Sequence, residues 1–135
     1  MDRLLRRTGL TIILLGLLCL SSASAQEDAA QALSHSAVLE QSYINQDPVT
    51  FDYLVSSNPE MSRKAFLIRF LGLAQMTNEA QQYEVLVYLQ YLAQRVQYLL
   101  GDNGPSTILN ALQSQNPQYL EQATAQYLLL LYPQM

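Results

Sequence analysis

Tryptophan is absent from the 135 residues, and cysteine, histidine and lysine occur once each, as Cys19, His35 and Lys64. A single cysteine excludes a disulfide framework and any zinc site built on thiolates. A single histidine excludes a two-histidine metal site. Charged residues are only 13% of the chain and the formal charge is −4, whereas neutralising phosphates takes a surplus of Lys and Arg. A nucleic-acid binder is therefore not expected. There is no Asn-x-Ser/Thr sequon, so N-glycosylation has no acceptor. Strand signals are almost missing too, because polar and apolar residues nowhere alternate over a sustained run.

What is present begins with an export signal. Arg3, Arg6 and Arg7 precede an eleven-residue run, Leu10 to Leu20, apolar but for Thr11, and Ala23-Ser24-Ala25 follows. That order of positive, apolar and small residues predicts a signal peptide over 1–25, cleaved before Gln26. The run is too short for a membrane anchor, which takes roughly 20 residues. Leu18 before Cys19 argues against a lipoprotein, and the Arg6-Arg7 pair sits in a weak twin-arginine context. General secretion is the expectation, with a periplasmic or secreted destination and no stable membrane insertion afterwards.

Cleavage leaves 26–135 as a single domain with four cations, Arg63, Lys64, Arg69 and Arg95, against ten acidic residues, hence a formal charge of −6 over 110 residues. Cys19 leaves with the signal, so packing alone must hold the fold, and a chain of this length can support one core.

Helical signals dominate. Asp47-Pro48, Asn58-Pro59 and Asn116-Pro117 each place a capping side chain ahead of a proline suited to the first helical position. Six helices are expected, over about 27–45, 48–56, 59–76, 79–100, 105–114 and 117–131. The first should turn Ala30, Leu33, Ala37, Val38 and Ile44 to one side. The third is apolar around most of its girth, as a central helix is, and Gly72 within it marks a close helix approach or simply weakens the helix. Tight links predict two antiparallel hairpins, from the third and fourth helices and from the fifth and sixth. Aligning Asn58-Pro59 with Asn116-Pro117 pairs Ala65 with Ala123, Leu71 with Leu129 and Leu73 with Leu131, a faint internal echo. The fold class expected is all-α, a small helical bundle.

The fourth helix carries the clearest pattern. Val85, Leu89, Leu92, Val96 and Leu99 recur at 4-3-4-3 spacing, an apolar stripe. Beside it, Glu84, Tyr88, Tyr91, Arg95 and Tyr98 make an aromatic shoulder, while Gln90, Gln94 and Gln97 lie opposite. Tyrosine joins a broad apolar ring to a polar tip and is enriched at interfaces, so the shoulder is the candidate interaction face. The competing reading tucks these tyrosines under neighbouring helices. A weaker candidate is an anion site from Arg63, Lys64 and Arg69 near a helix N-terminus, against local pairing of Glu60 with Arg63 or Lys64.

Catalytic constellations are thin. His35 has no Gly-x-Ser-x-Gly elbow to serve and reads as a solvent-exposed side chain. Asp47/Asp52 and Glu79/Glu84 are carboxylate pairs of the kind acidic surfaces often carry. Gly101-Asp102-Asn103-Gly104 reads as a helix C-cap and turn. No catalytic residue, metal or cofactor is expected. The sixteen glutamines after residue 25 are scattered at helical spacing, a neutral and adhesive surface. The functional expectation is an exported, non-enzymatic helical domain that binds another protein or itself. The alternatives are a carrier of a small apolar ligand among Phe66, Phe70 and the leucines, and, further off, a carboxylate-dependent hydrolase.

Overall fold

The computed structural model describes residues 23–133, with side chains from Gln26 onward. Residues 1–22, and with them the body of the expected signal peptide, lie outside the described residues. Six helices follow in order: α1 (Ala23–Ile44), α2 (Pro48–Ser57), α3 (Pro59–Gly72), α4 (Glu79–Leu100), α5 (Gly104–Gln113) and α6 (Pro117–Leu131). No strand occurs among the described residues. None of the described helices is long and apolar enough to cross a membrane.

The caps explain most of the boundaries. The Asp47 carboxylate accepts from the Thr50 amide at 3.1 Å and the Thr50 hydroxyl at 2.6 Å. Asn78 accepts from Ala80 and Gln81, and Asn116 from Gln118 and Tyr119. Each of the amide bonds satisfies a donor that the first turn leaves orphaned. Asn58 differs: its side chain caps nothing and donates instead to the Ser57 hydroxyl. Pro59, which has no N–H to satisfy, opens α3 unaided. That helix stops at Gly72, short of residue 76, because a 3-10 turn over Leu73–Gln75 leads into extended Met76. Gly72 marks no close approach, since a Cβ there would meet open space.

Helix α3 is central and touches all five other helices. Ala65, Phe66, Leu67, Phe70 and Leu71 are buried along it. The expected stripe of α4 faces this core, with Val85, Leu89, Leu92 and Val96 buried and Leu99 packed at its edge. Helices α5 and α6 pack on each other and contribute Ile108, Leu112, Leu120, Leu128 and Leu131.

The turn between α4 and α5 is tied down at several points. Gly101 takes a left-handed conformation (φ 69°) and ends α4, a position that suits glycine. Asp102 accepts from the Tyr127 hydroxyl at 2.6 Å, from Arg63 Nε at 3.0 Å and from the Gly104 amide at 2.9 Å. Burial and the Asp102 carboxylate both push the Tyr127 phenol up. A Cβ on Gly104 would collide with the Tyr127 ring, so this glycine is required by contact. The internal echo carries into packing at two of its three positions, since Ala65 and Ala123, and Leu73 and Leu131, are all buried. Leu71 is fully buried, whereas Leu129, its counterpart, is 52% exposed.

Helix α1 lies the other way round from the expectation. Ala30, Leu33, Ala37, Val38 and Ile44 are all exposed. The inward side is Asp28, Ala32, His35, Leu39 and Ser42, which are buried or half-buried. Those five have the same 4-3-4-3 spacing as the stripe of α4, but three are polar. Their partners decide the matter. Lys64 donates to Asp28 at 2.7 Å, His35 Nε2 lies 2.9 Å from the Ser62 hydroxyl, and Arg69 donates to Glu40 at 3.0 Å. A buried charge requires a partner, so the cations of α3 draw in the polar side of α1 and leave its apolar side facing solvent.

Candidate functional site

All four cations of the described residues are engaged internally, each with a carboxylate from another element. Arg63 meets Asp102, Lys64 meets Asp28, Arg69 meets Glu40 and Arg95 meets Asp52. Lys64 also reaches Glu60 one turn away, at 3.0 Å, and lies 4.9 Å from the Tyr132 ring centre. Burial works against its ammonium, but the hydrogen bonds to Asp28 and Glu60 outweigh that and hold its pKa above the ordinary value. Arg63, Lys64 and Arg69 therefore do not converge on an anion. Four separate carboxylates, Asp102, Asp28, Glu60 and Glu40, take them up, and they act as anchors for α1 and for the turn before α5.

The shoulder of α4 is divided in the same way. Tyr88 is only 2% exposed. Its ring lies edge-on to Tyr43 at 5.1 Å, Tyr43 meets Tyr91 at 5.3 Å, and Tyr91 meets Phe51 at 4.9 Å. This run of rings joins the end of α1, the start of α2 and the middle of α4. Such pairs add about 0.5–1.5 kcal/mol each beyond the area they bury. One turn further on, Arg95 grips Asp52 through two bonds of 2.9 and 2.6 Å and lies under the Tyr98 ring. The hydrogen bonds to Asp52 raise the Arg95 pKa further. Tyr88, Tyr91 and Arg95 are thus committed within the molecule, while Glu84 and Tyr98 remain exposed.

The acidic pairs are also occupied in part: Asp47 caps α2, which lowers its pKa through the Thr50 hydrogen bonds, and Asp52 holds Arg95. His35 is half-buried against Ser62, not solvent-exposed, and burial lowers its pKa. No cluster of three or more metal-ligating side chains occurs among the described residues. Phe66 and Phe70, the expected walls of a ligand pocket, stack at 6.0 Å inside the core and are fully covered.

A groove does open between α1 and α4, with a volume of about 450 Å³. Tyr43 and Ile44 form one wall and Tyr83 and Val87 the other, with Glu84 on the rim. Ile44 is 63% and Tyr83 68% exposed. The Glu40–Arg69 pair and Tyr88 also line it. The Tyr88 hydroxyl is buried and has no hydrogen-bond partner. Burial, then the nearby Glu40 carboxylate, push that phenol well above its ordinary pKa, so it stays protonated as a donor. Tyr43, Ile44, Tyr83 and Val87 were not singled out by the pattern of α4 alone. Tyr83 and Val87 stand four residues apart beside its core stripe, and that spacing is the signal that marks them. Compared with protein-family models, with curated proteins and with solved structures, the chain has no match.

Proposed function

We propose that this is an exported, non-enzymatic interaction domain that receives an amphipathic helix of another protein in the α1–α4 groove. One observation carries the reading: large apolar side chains flank a cavity of about 450 Å³ and leave their outer surfaces uncovered. The outward stripe of α1 extends the surface. Leu33, Ala37 and Ile44 lie on one side of that helix, and from Leu33 to Ile44 is about 16 Å at 1.5 Å per residue. That matches roughly three turns of a partner helix, whose anchors at i, i+3, i+4 and i+7 suit such a groove. The leader over 1–25 directs the domain to the periplasm or the exterior.

The test is binding of a panel of amphipathic helical peptides, followed by backbone amide shifts. Binding should perturb Ile44, Tyr83 and Val87 and leave the glutamine side of α4 unchanged. Tyr83→Ala should weaken it roughly tenfold, as loss of an interface tyrosine does. Peptides that bind without disturbing these residues, or that bind equally to Tyr83→Ala, would remove the groove from the reading. A second reading, a carrier of a small amphiphile, draws on the unpaired Tyr88 hydroxyl, which a ligand acceptor would satisfy. Native mass spectrometry of protein from its own host should then show a retained small molecule.

A further inference from the structure

The charges around the groove narrow the choice of partner. All four cations of the described residues face internal carboxylates. Glu27, Asp47, Glu79, Glu84 and Glu121 are exposed and have no cationic partner among the described residues. The unpaired charge that these residues present to solvent is therefore of one sign. Glu84 lines the groove without a cationic partner, whereas Glu40 and Arg69, which also line it, pair with each other and are about equally open to solvent. An apolar trough whose one uncompensated charge is the Glu84 carboxylate selects a partner through both properties.

Resting on the groove reading, we infer that the occupant is a cationic amphipathic helix: apolar residues fill the space between Ile44, Tyr83 and Val87, and a Lys or Arg beside them meets Glu84. A second copy of this chain is the poorer occupant on charge. It would bring the same free carboxylates to the contact, and like charges across an interface disfavour association. Attraction between exposed charges also steers encounter and weakens with salt.

Three helical peptides of about 18 residues with one leucine pattern and Lys, Gln or Glu at the polar positions test this against the purified protein. Fluorescence anisotropy is the readout. The expected order is Lys tightest and Glu weakest, with the Glu peptide at least roughly tenfold below the Lys peptide. Added salt should narrow the gap. Glu84→Gln should weaken the Lys peptide roughly threefold and leave the Gln peptide unchanged. Tyr83→Ala and Ile44→Ser, both at exposed positions, should weaken every peptide that binds while leaving the helical circular dichroism intact. Equal binding of the Lys and Gln peptides, with Tyr83→Ala still effective, would overturn the cationic partner and keep the groove. No binding by any peptide, or binding indifferent to both groove variants, would remove both. Light scattering that shows a dimer, dissociated by Ile44→Ser, would assign the groove to a second copy and overturn the inference.

Discussion

Helices α1 and α4 are equal in length, 22 residues each, and both present a 4-3-4-3 stripe to the interior, yet different forces seat them. On α4 the stripe is Val85, Leu89, Leu92 and Val96, and its burial relies on the hydrophobic effect. On α1 the stripe is Asp28, Ala32, His35, Leu39 and Ser42, and ion pairs with α3 determine which side turns inward. The first kind of attachment is not screened by salt and is orientation-tolerant. The second is directional, weakens with ionic strength and leaves an apolar surface free for another molecule. A helix can thus be docked by its polar side so that its apolar side remains available.

The largest effect that sharpens this contrast comes from two leucine truncations. Leu92→Ala, at a fully buried site, should cost roughly 2–5 kcal/mol in denaturant unfolding. Leu33→Ala, on the outward side of α1, should cost a few tenths at most. Equal losses would mean that α1 packs as α4 does. Gly104→Ala forces a methyl against the Tyr127 ring and should cost about 1–3 kcal/mol; a parental melting temperature would show that the ring can move aside.

Asp28→Ala removes the nearer carboxylate from Lys64 and should cost roughly 1–2 kcal/mol. Hydrogen exchange should show the loss concentrated in α1, with α4 protected as before. Uniform acceleration through both helices would show that α1 is part of the cooperative core. Smaller again are the caps. Asn116→Ala should cost about 1 kcal/mol, whereas Asn58→Ala should leave the midpoint unchanged, since its side chain caps nothing.

The smallest expected effect is that of pH on α1. Burial holds the His35 pKa below its ordinary value near 6.5, so the unfolded or undocked state binds the proton more readily. The stabilisation is complete above that value and is lost as pH falls through the lower, folded one. Exchange in α1 should quicken on mild acidification, and His35→Gln should abolish that response; a pH-independent α1 in the parent would show that His35 has no part in seating it.

The helices were legible because their ends are written locally. Asp47, Asn78, Asn116 and Gly101 act within one turn, and the stripe of α4 lies within a single element. The side of α1 that faces inward was not legible, because Asp28 and Glu40 find Lys64 and Arg69 across 36 and 29 residues of sequence, and spacing within a helix contains no trace of such partners. The same holds for Arg95 and Asp52, 43 residues apart. The tyrosine shoulder announced that α4 would meet something, but Tyr43 and Phe51, which cover Tyr88 and Tyr91, belong to other helices. The groove was beyond reach for a related reason: its walls come from two elements whose facing sides depend on those distant pairs.

Lys64 holds one more consequence, topological in kind. Asp28 at one end of the described fold and Tyr132 at the other both rest on its ammonium, at 2.7 Å from the carboxylate oxygen and 4.9 Å from the ring centre. The first turns of α1 and the residue after α6 therefore meet on one side chain, so a Gly/Ser linker can lead from the end of α6 back to the start of α1, the arrangement in which circular permutation is tolerated. A chain closed there and reopened in the exposed Ser114–Asn116 turn would keep every helix whole. It would also place α1 in mid-chain, anchored covalently at both ends, so that its outward stripe stays presented even where salt or acid would otherwise release it.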